Sequence, residues 1–174
     1  MKFLKTLAVI SIFFSLSCKK EQKTIQPSNE STSIFYFIRH AEKDRSDSTN
    51  QNPHLNKQGS LRAEKWNDVF KNISFDAIYS TDYNRTRETA APTASKNNLE
   101  LIIYNPKTID ISKFLSDNEG KHVLVVGHSN TTPDFVNKIL GSETYEDIDD
   151  SNNKNLYIVT KTGNTISSNL LFIE

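Results

Sequence analysis

The segment Lys121-His-Val-Leu-Val-Val126 constrains this chain more than any other. Its four apolar residues run without a polar break, and three of them are β-branched. The run is too short for a buried helix and lacks the alternation of a half-exposed strand. It reads as a central strand covered on both faces, which requires helices above and below a parallel sheet. The rest of the chain supplies those layers. Strands are predicted at 33–38, 75–79 and 101–104, where β-branched and aromatic residues cluster. Helices are predicted at 55–72, 86–96, 109–116 and 132–140. The first of these carries Leu61, Trp66, Val69 and Phe70 at helical spacing behind an Asn56 N-cap. Pro92 should limit or kink the second, and Pro133 suits the first turn of the last. Segments 156–160 and 166–173 flank Lys161-Thr-Gly-Asn164 and read as a terminal hairpin. The expected fold is therefore α/β, with a mostly parallel central sheet flanked by helices and a C-terminal hairpin.

The N-terminus follows a different logic. Lys2 and Lys5 precede the apolar run Leu7–Leu16, which ends at Ser17 and Cys18. A charged start, a short apolar stretch and a small residue at the cut form the layout of an export signal. The run is about half the roughly 20 residues that a spanning helix needs. The placement of the sole cysteine resembles a bacterial lipoprotein signal, which implies lipidation of Cys18 and a membrane-anchored, exported protein. Residues 1–17 are then a signal peptide, 18–33 a lipidated cysteine and polar tether, and 34–174 one domain. Lys2 and Lys5 leave with the signal, so 21 acidic residues face two fewer than the original 21 basic ones, a balance of −2. A general nucleic-acid binder that neutralises phosphates is disfavoured by that balance. A single cysteine excludes an intrachain disulfide framework and a Cys-rich zinc module.

Ligands of a parallel sheet bind beside the loops that follow its strands. Arg39-His40-Ala-Glu42-Lys43 follows the first predicted strand, Ser80 to Ala90 with Arg85 the second, and Gly127-His128-Ser-Asn130 the central one. The sheet would gather two histidines and two arginines at one edge. Arg39 and Arg85 offer planar donor forks that match phosphate oxygens and neutralise transition-state charge. A neutral imidazole near pH 7 is a nucleophile, and a second one can donate to the same oxygens. These residue types do not decide which histidine attacks. No metal site is indicated, because the domain lacks cysteine and HExxH-type spacing. His54 and His122 read as structural or exposed.

Together these segments resemble the histidine phosphatase superfamily, with its phosphoglycerate-mutase-like fold. Arg39-His-Ala-Glu-Lys43 is similar to the RHG/RHA signature, and Leu55-Asn-Lys-Gln-Gly59 to the L-T-x-x-G segment. Ser80 to Ala90 resembles S-x-x-x-x-R-[TA]-x-x-T-A, and Val123 to Asn130 the strand and turn carrying the second histidine. The resemblance implies that His40 is the nucleophile and forms a phosphohistidine. Arg39, Arg85 and His128 would complete the phosphate pocket, with no cofactor and no metal. A leaving group also needs a proton. Relatives often place that acid after the strand following the second arginine, where this chain has Asn105 and then Asp110. Glu42, beside the nucleophile, is the other candidate.

The expected activity is hydrolysis of a phosphomonoester, phosphohistidine or phosphoanhydride on a phosphorylated small molecule or phosphoprotein. Mutase chemistry is disfavoured by the short domain and by export. Two alternatives stand beside it. One is a catalytically weak phospho-ligand-binding module of the same fold, the other a generic surface lipoprotein. The 39–54 loop and the acidic 142–154 stretch either border the pocket or are solvated loops, and the second reading is the expected one.

Overall fold

A computed structural model describes residues 30–174; residues 1–17, read above as an export signal, and Cys18 lie outside the described residues. In chain order the elements are β1 (Thr32–Arg39), α1 (Lys57–Val69), β2 (Ala77–Ser80), α2 (Asn84–Asn97), β3 (Leu101–Ile103) and α3 (Ile111–Asp117). They continue with β4 (His122–Gly127), α4 (Thr131–Leu140), β5 (Asn155–Thr162) and β6 (Thr165–Phe172). One six-stranded sheet has the order β3-β2-β4-β1-β5-β6. The β1–β4, β2–β4 and β2–β3 pairs are parallel, while β5 joins β1 antiparallel and forms a hairpin with β6. This is the α/β architecture, with its C-terminal hairpin, that the sequence led us to expect.

The Val123–Val126 run lies between β1 and β2 and is buried throughout. Successive residues of β4 and β1 feed two cores. Phe35, Phe37, Val123 and Val125 pack with Phe114 and Phe135 on one face. Tyr36, Ile38, Leu124 and Val126 pack with Trp66 and Phe70 on the other. Helices α3 and α4 cover the first face, and α1 and α2 the second, so the continuous apolar run has a partner on each side.

Four local expectations change. β1 begins at Thr32, so the last residues assigned to the tether are strand. Leu61 is 65% exposed and Val69 also faces solvent, because the buried face of α1 is Ala63 and Trp66, continuing into Phe70. The first helix was expected over 55–72, but it starts after Leu55 and ends before the turn at 70–73. Helix α2 runs through Pro92, which removes one backbone bond without ending the helix. No described helix is long and apolar enough to cross a membrane.

Candidate active site

Parallel strands β1, β2 and β4 end at the same edge of the sheet, and each delivers part of one cluster. Arg39 is the last residue of β1 and pairs in register with Gly127, the last of β4. His40 donates its backbone N–H to the Gly127 carbonyl at 2.9 Å. Gly127 is needed here for its small size. A Cβ at that position would lie 2.7 Å from Thr132 Oγ1 and 3.0 Å from Tyr104 Oη. The four residues singled out from the sequence converge: Arg39, His40, Arg85 and His128 line a cavity of about 880 Å³. The His40 and His128 rings are 5.5 Å apart, centroid to centroid.

The hydrogen bonds assign the tautomers. His40 Nδ1 lies 2.7 Å from the Ala41 carbonyl, which can only accept. Nδ1 therefore carries the proton, and Nε2 holds the free lone pair. Its backbone is fixed further by Asn153, whose Nδ2 donates to the His40 carbonyl at 2.7 Å. Thr89 Oγ1 accepts from Ala41 N at 2.9 Å. On the opposite side, Thr86 Oγ1 donates to backbone carbonyls and accepts from Thr81 Oγ1. Thr81 Oγ1 must then accept from His128 Nε2–H at 2.9 Å, which leaves His128 Nδ1 facing Arg85 Nη2 at 3.4 Å. Tyr83 sets the arginine: the Arg85 guanidinium carbon lies 4.4 Å from its ring centroid, and the same ring packs edge-on against His128.

Electrostatics favour neutral imidazoles and an anion. Burial, and then the Arg39 and Arg85 charges, lower His40 to about 3 against the opposing Ala41 hydrogen bond. His128 is lowered to about 4, first by burial and then by Arg85 and Arg39. Arg39 Nε, Arg85 Nε and Arg85 Nη1 are buried with no partner among the described residues. Buried donors without acceptors are costly unless a ligand satisfies them. These three guanidinium nitrogens, on arginines that line one cavity with His40, can hold a tetrahedral oxyanion and expose its central atom to attack. Among the described residues, no group of three or more His, Cys, Asp or Glu is placed to hold a metal ion.

The two carboxylates considered as proton donors stand elsewhere. Glu42 accepts from Arg62 Nε through both oxygens, at 2.8 and 2.9 Å, and lines only a smaller adjoining cavity of about 340 Å³. Asp110 caps α3, accepting from Lys113 N at 3.0 Å, and lines neither cavity. His54 pairs with Glu88 at the surface, and His122 begins β4 away from the cluster.

The acidic 142–154 stretch is more than a solvated loop. Arg39, 3% exposed, sends Nη1 to the carbonyls of Asp149, Asp150 and Asn152 at 2.8, 3.1 and 3.0 Å. Its Nη2 reaches Asp150 Oδ1 at 2.6 Å, and Asp150 Oδ2 accepts from Arg45 at 2.7 Å. Ile148 N also donates to Ser129 O at 2.8 Å. Sequence reasoning raised the 142–154 stretch as one possible border of the pocket without singling out Asp150 or Asn153, and it missed Thr81 and Tyr83 as site residues. Only Tyr83, an aromatic two residues before Arg85, carried a local signal.

The imidazoles make acid stability a test. An unfolded chain protonates both near pH 6.5, whereas the folded chain keeps them neutral until about pH 4 and 3. Between those limits the unfolded state binds more protons, so stability falls as pH falls, by up to about 1.4 kcal/mol per pH unit for each imidazole. The urea midpoint should drop on acidification from about pH 7 to 4.5, and a His40→Asn/His128→Asn variant should drop less steeply. An equal slope in that variant would assign the acid sensitivity to other groups.

Residues 35–106 match the family model of the histidine phosphatase superfamily (branch 1). No curated protein matches the chain. Solved structures match at low identity. The protein histidine phosphatase SixA in complex with tungstate is 13% identical with a TM-score of 0.64, covering 80% of this chain and 96% of its own. Phosphoglycerate mutase from Bacillus anthracis is also 13% identical, with a TM-score of 0.64 and coverage of 84% and 95%. A variant phosphoserine phosphatase from Entamoeba histolytica, in complex with phosphoserine, is 13% identical with a TM-score of 0.58, covering 77% and 96%. These likenesses concern the fold.

Proposed function

We propose that the chain, whose residues 35–106 match the histidine phosphatase superfamily model, acts as a member of that superfamily and hydrolyses a phosphorylated substrate through a phosphohistidine on His40. The observation that carries the reading is the set of unpartnered guanidinium donors, Arg39 Nε with Arg85 Nε and Nη1, around a neutral imidazole whose Nε2 is free. In the first step His40 Nε2 attacks phosphorus as the bond to the leaving oxygen breaks. Arg39 and Arg85 neutralise the charge gathered on the other oxygens. His128, whose ring lies 5.5 Å from that of His40, donates to the same oxygens once the incoming anion has raised its pKa. Water then attacks phosphorus, and the electron pair of the breaking P–N bond returns to Nε2. Two guanidinium groups supply the positive charge that a metal ion would otherwise provide, so the chemistry requires none.

The cavity is bordered by Tyr83, Ile103 and Pro106 as well as by Lys43 and Lys107. This mixed rim favours a phosphomonoester, phosphohistidine or phosphoanhydride on a small molecule or a protein. We further read residues 1–17 and Cys18 as an export signal and lipid anchor, placing the domain on the outer side of a membrane. Intact-mass measurement on protein from a bacterial membrane fraction, acid-labile phosphate being kept by neutral quenching, tests both parts. The expected species starts at a lipid-modified Cys18 and gains one phosphoryl group during turnover. An unmodified Cys18 or a retained leader overturns the anchor. A phosphoryl group that survives acid treatment, or one that forms without His40, overturns the phosphohistidine.

A further inference from the structure

We propose that Asp150 is the acid–base residue of this phosphoryl transfer, an assignment that rests on the phosphatase reading above. The geometry of Arg39 places it. A guanidinium has an end edge, Nη1 with Nη2, and a side edge, Nε with the second hydrogen of Nη2. The end edge is spent on the 149–152 loop, three carbonyls on Nη1 and the Asp150 carboxylate on Nη2. The side edge remains, with Nε buried and without a partner among the described residues. An oxyanion bound there shares Nη2 with Asp150. Two acceptors on one nitrogen, each at ordinary hydrogen-bond length, lie roughly 4.5–5 Å apart. One side-chain rotation or one bridging water closes that gap. Asp150 has the freedom to rotate, since its side chain is 66% exposed.

No other carboxylate among the described residues stands this way. Asp150 lines both the large cavity and the smaller one, and His40 also lines both. Glu42 lines only the smaller cavity and is held by Arg62, which lines neither, whereas Asp150 is held by Arg39 of the anion site itself; Asp110 is a helix cap outside both cavities. Asp82 lines the large cavity, but its partner Arg87 does not, so it shares no guanidinium with the anion site.

The charge environment changes in the required direction when substrate arrives. In the free protein the Arg39 hydrogen bond, aided by Arg45, holds Asp150 below the usual carboxylate range. A phosphoryl dianion on the neighbouring edge of Arg39 is a like charge and pushes it up, which favours the proton-carrying form of Asp150 in the substrate complex. As the P–Nε2 bond forms and the P–O bond breaks, the leaving oxygen receives the electron pair and the Asp150 proton. In the second step the Asp150 carboxylate removes a proton from water. The water oxygen bonds to phosphorus, and the P–N electron pair returns to His40. The sum is ester plus water to alcohol plus orthophosphate, with Asp150 and His40 regenerated.

The test compares kcat/KM for p-nitrophenyl phosphate, whose leaving group departs without a proton, with that for glycerol phosphate, whose alkoxide needs one. Asp150→Asn keeps the acceptor for Arg39 but has no proton to give. We expect it to lose about 10²- to 10³-fold on the alkyl ester and less than tenfold on the aryl ester. Asp150→Glu should recover part of the alkyl activity, and Asp82→Asn should leave the ratio of the two esters unmoved. An Asp150→Asn loss that is equal on both esters, or absent, overturns the assignment and leaves Asp150 as a positioning group for Arg39. So does a ratio that moves with Asp82. If Asp150→Asn fails to fold, Asp150→Ser under the same comparison decides by the same ratio. A wild type inactive on both esters, or as slow as His40→Ala, overturns the phosphatase reading itself and this assignment with it.

Discussion

His40→Ala is expected to lower kcat for an aryl phosphate by about 10⁴-fold or more, equivalent to about 5.5 kcal/mol of transition-state stabilisation. The size follows from the kind of group removed. Arg39 and Arg85 remain to bind phosphate in the variant, but no other nucleophile faces the phosphorus. His128 does not replace it, because its Nε2 donates to Thr81 and its Nδ1 faces Arg85. The variant should therefore lose far more in kcat than in KM, and it should trap no acid-labile phosphate. A thermal unfolding curve separates this from misfolding, since His40 is only 4% exposed and its truncation also leaves a small cavity. A folded His40→Ala protein that keeps wild-type turnover would remove the covalent mechanism.

The largest expected change in stability comes from a residue with no chemistry. Gly59 lies in the first turn of α1, where its N–H donates to the Asn56 side chain at 2.9 Å. A Cβ there would stand 3.0 Å from the Glu42 carbonyl carbon and amide nitrogen, and closer still to the Glu42 oxygen. These are backbone atoms, and they cannot rotate away. The Glu42 carbonyl accepts from Asn56 N at 2.9 Å, and Asp44 N donates to His54 O at 2.8 Å, so the two segments are laced together. Gly59→Ala should cost about 3 kcal/mol as an overpacked contact. For a domain of this size that is a fall in melting temperature of about 6–12 °C. The displaced segment begins two residues after His40, so kcat should fall as well. A Gly59→Ala protein that melts with the wild type would mean that α1 does not press on the Glu42 backbone.

Where the sequence was legible, it was legible through periodicity and end positions. The Val123–Val126 run implied its central place, and β1, β2 and β4 then carried Arg39, Arg85 and His128 to one edge without any further information. Asn56 and Gly59 marked the start of α1 for the same kind of local reason. The misreadings share a cause. Leu61 and Val69 are apolar at nearly helical spacing, but the buried stripe is set by where α1 meets the sheet, not by composition. The 142–154 stretch is acidic and has no periodicity, which is also how a free loop reads. Its attachment is made by backbone carbonyls on Arg39 and by Asn153 on the His40 carbonyl, and main-chain acceptors have no residue-type signature. Asp150 and Asn153 could be found only once β1 and the loop were in one frame.

The grip of Arg39 on the 149–152 loop also sets an order of events. A ribosome delivers β1 first, yet its paired residues on β4 lie 88 residues later in the chain and those on β5 118 to 130 later. Such long-range pairing slows folding, because long loops must close before their contacts form. The arginine at the end of β1 then gains its carbonyl acceptors only after residue 152 has emerged. Its guanidinium is oriented last, by the C-terminal third of the chain. A nascent chain, or one cut short before the loop, holds His40 without a fixed anion cradle, so the proposed chemistry must wait until residue 152 has been made.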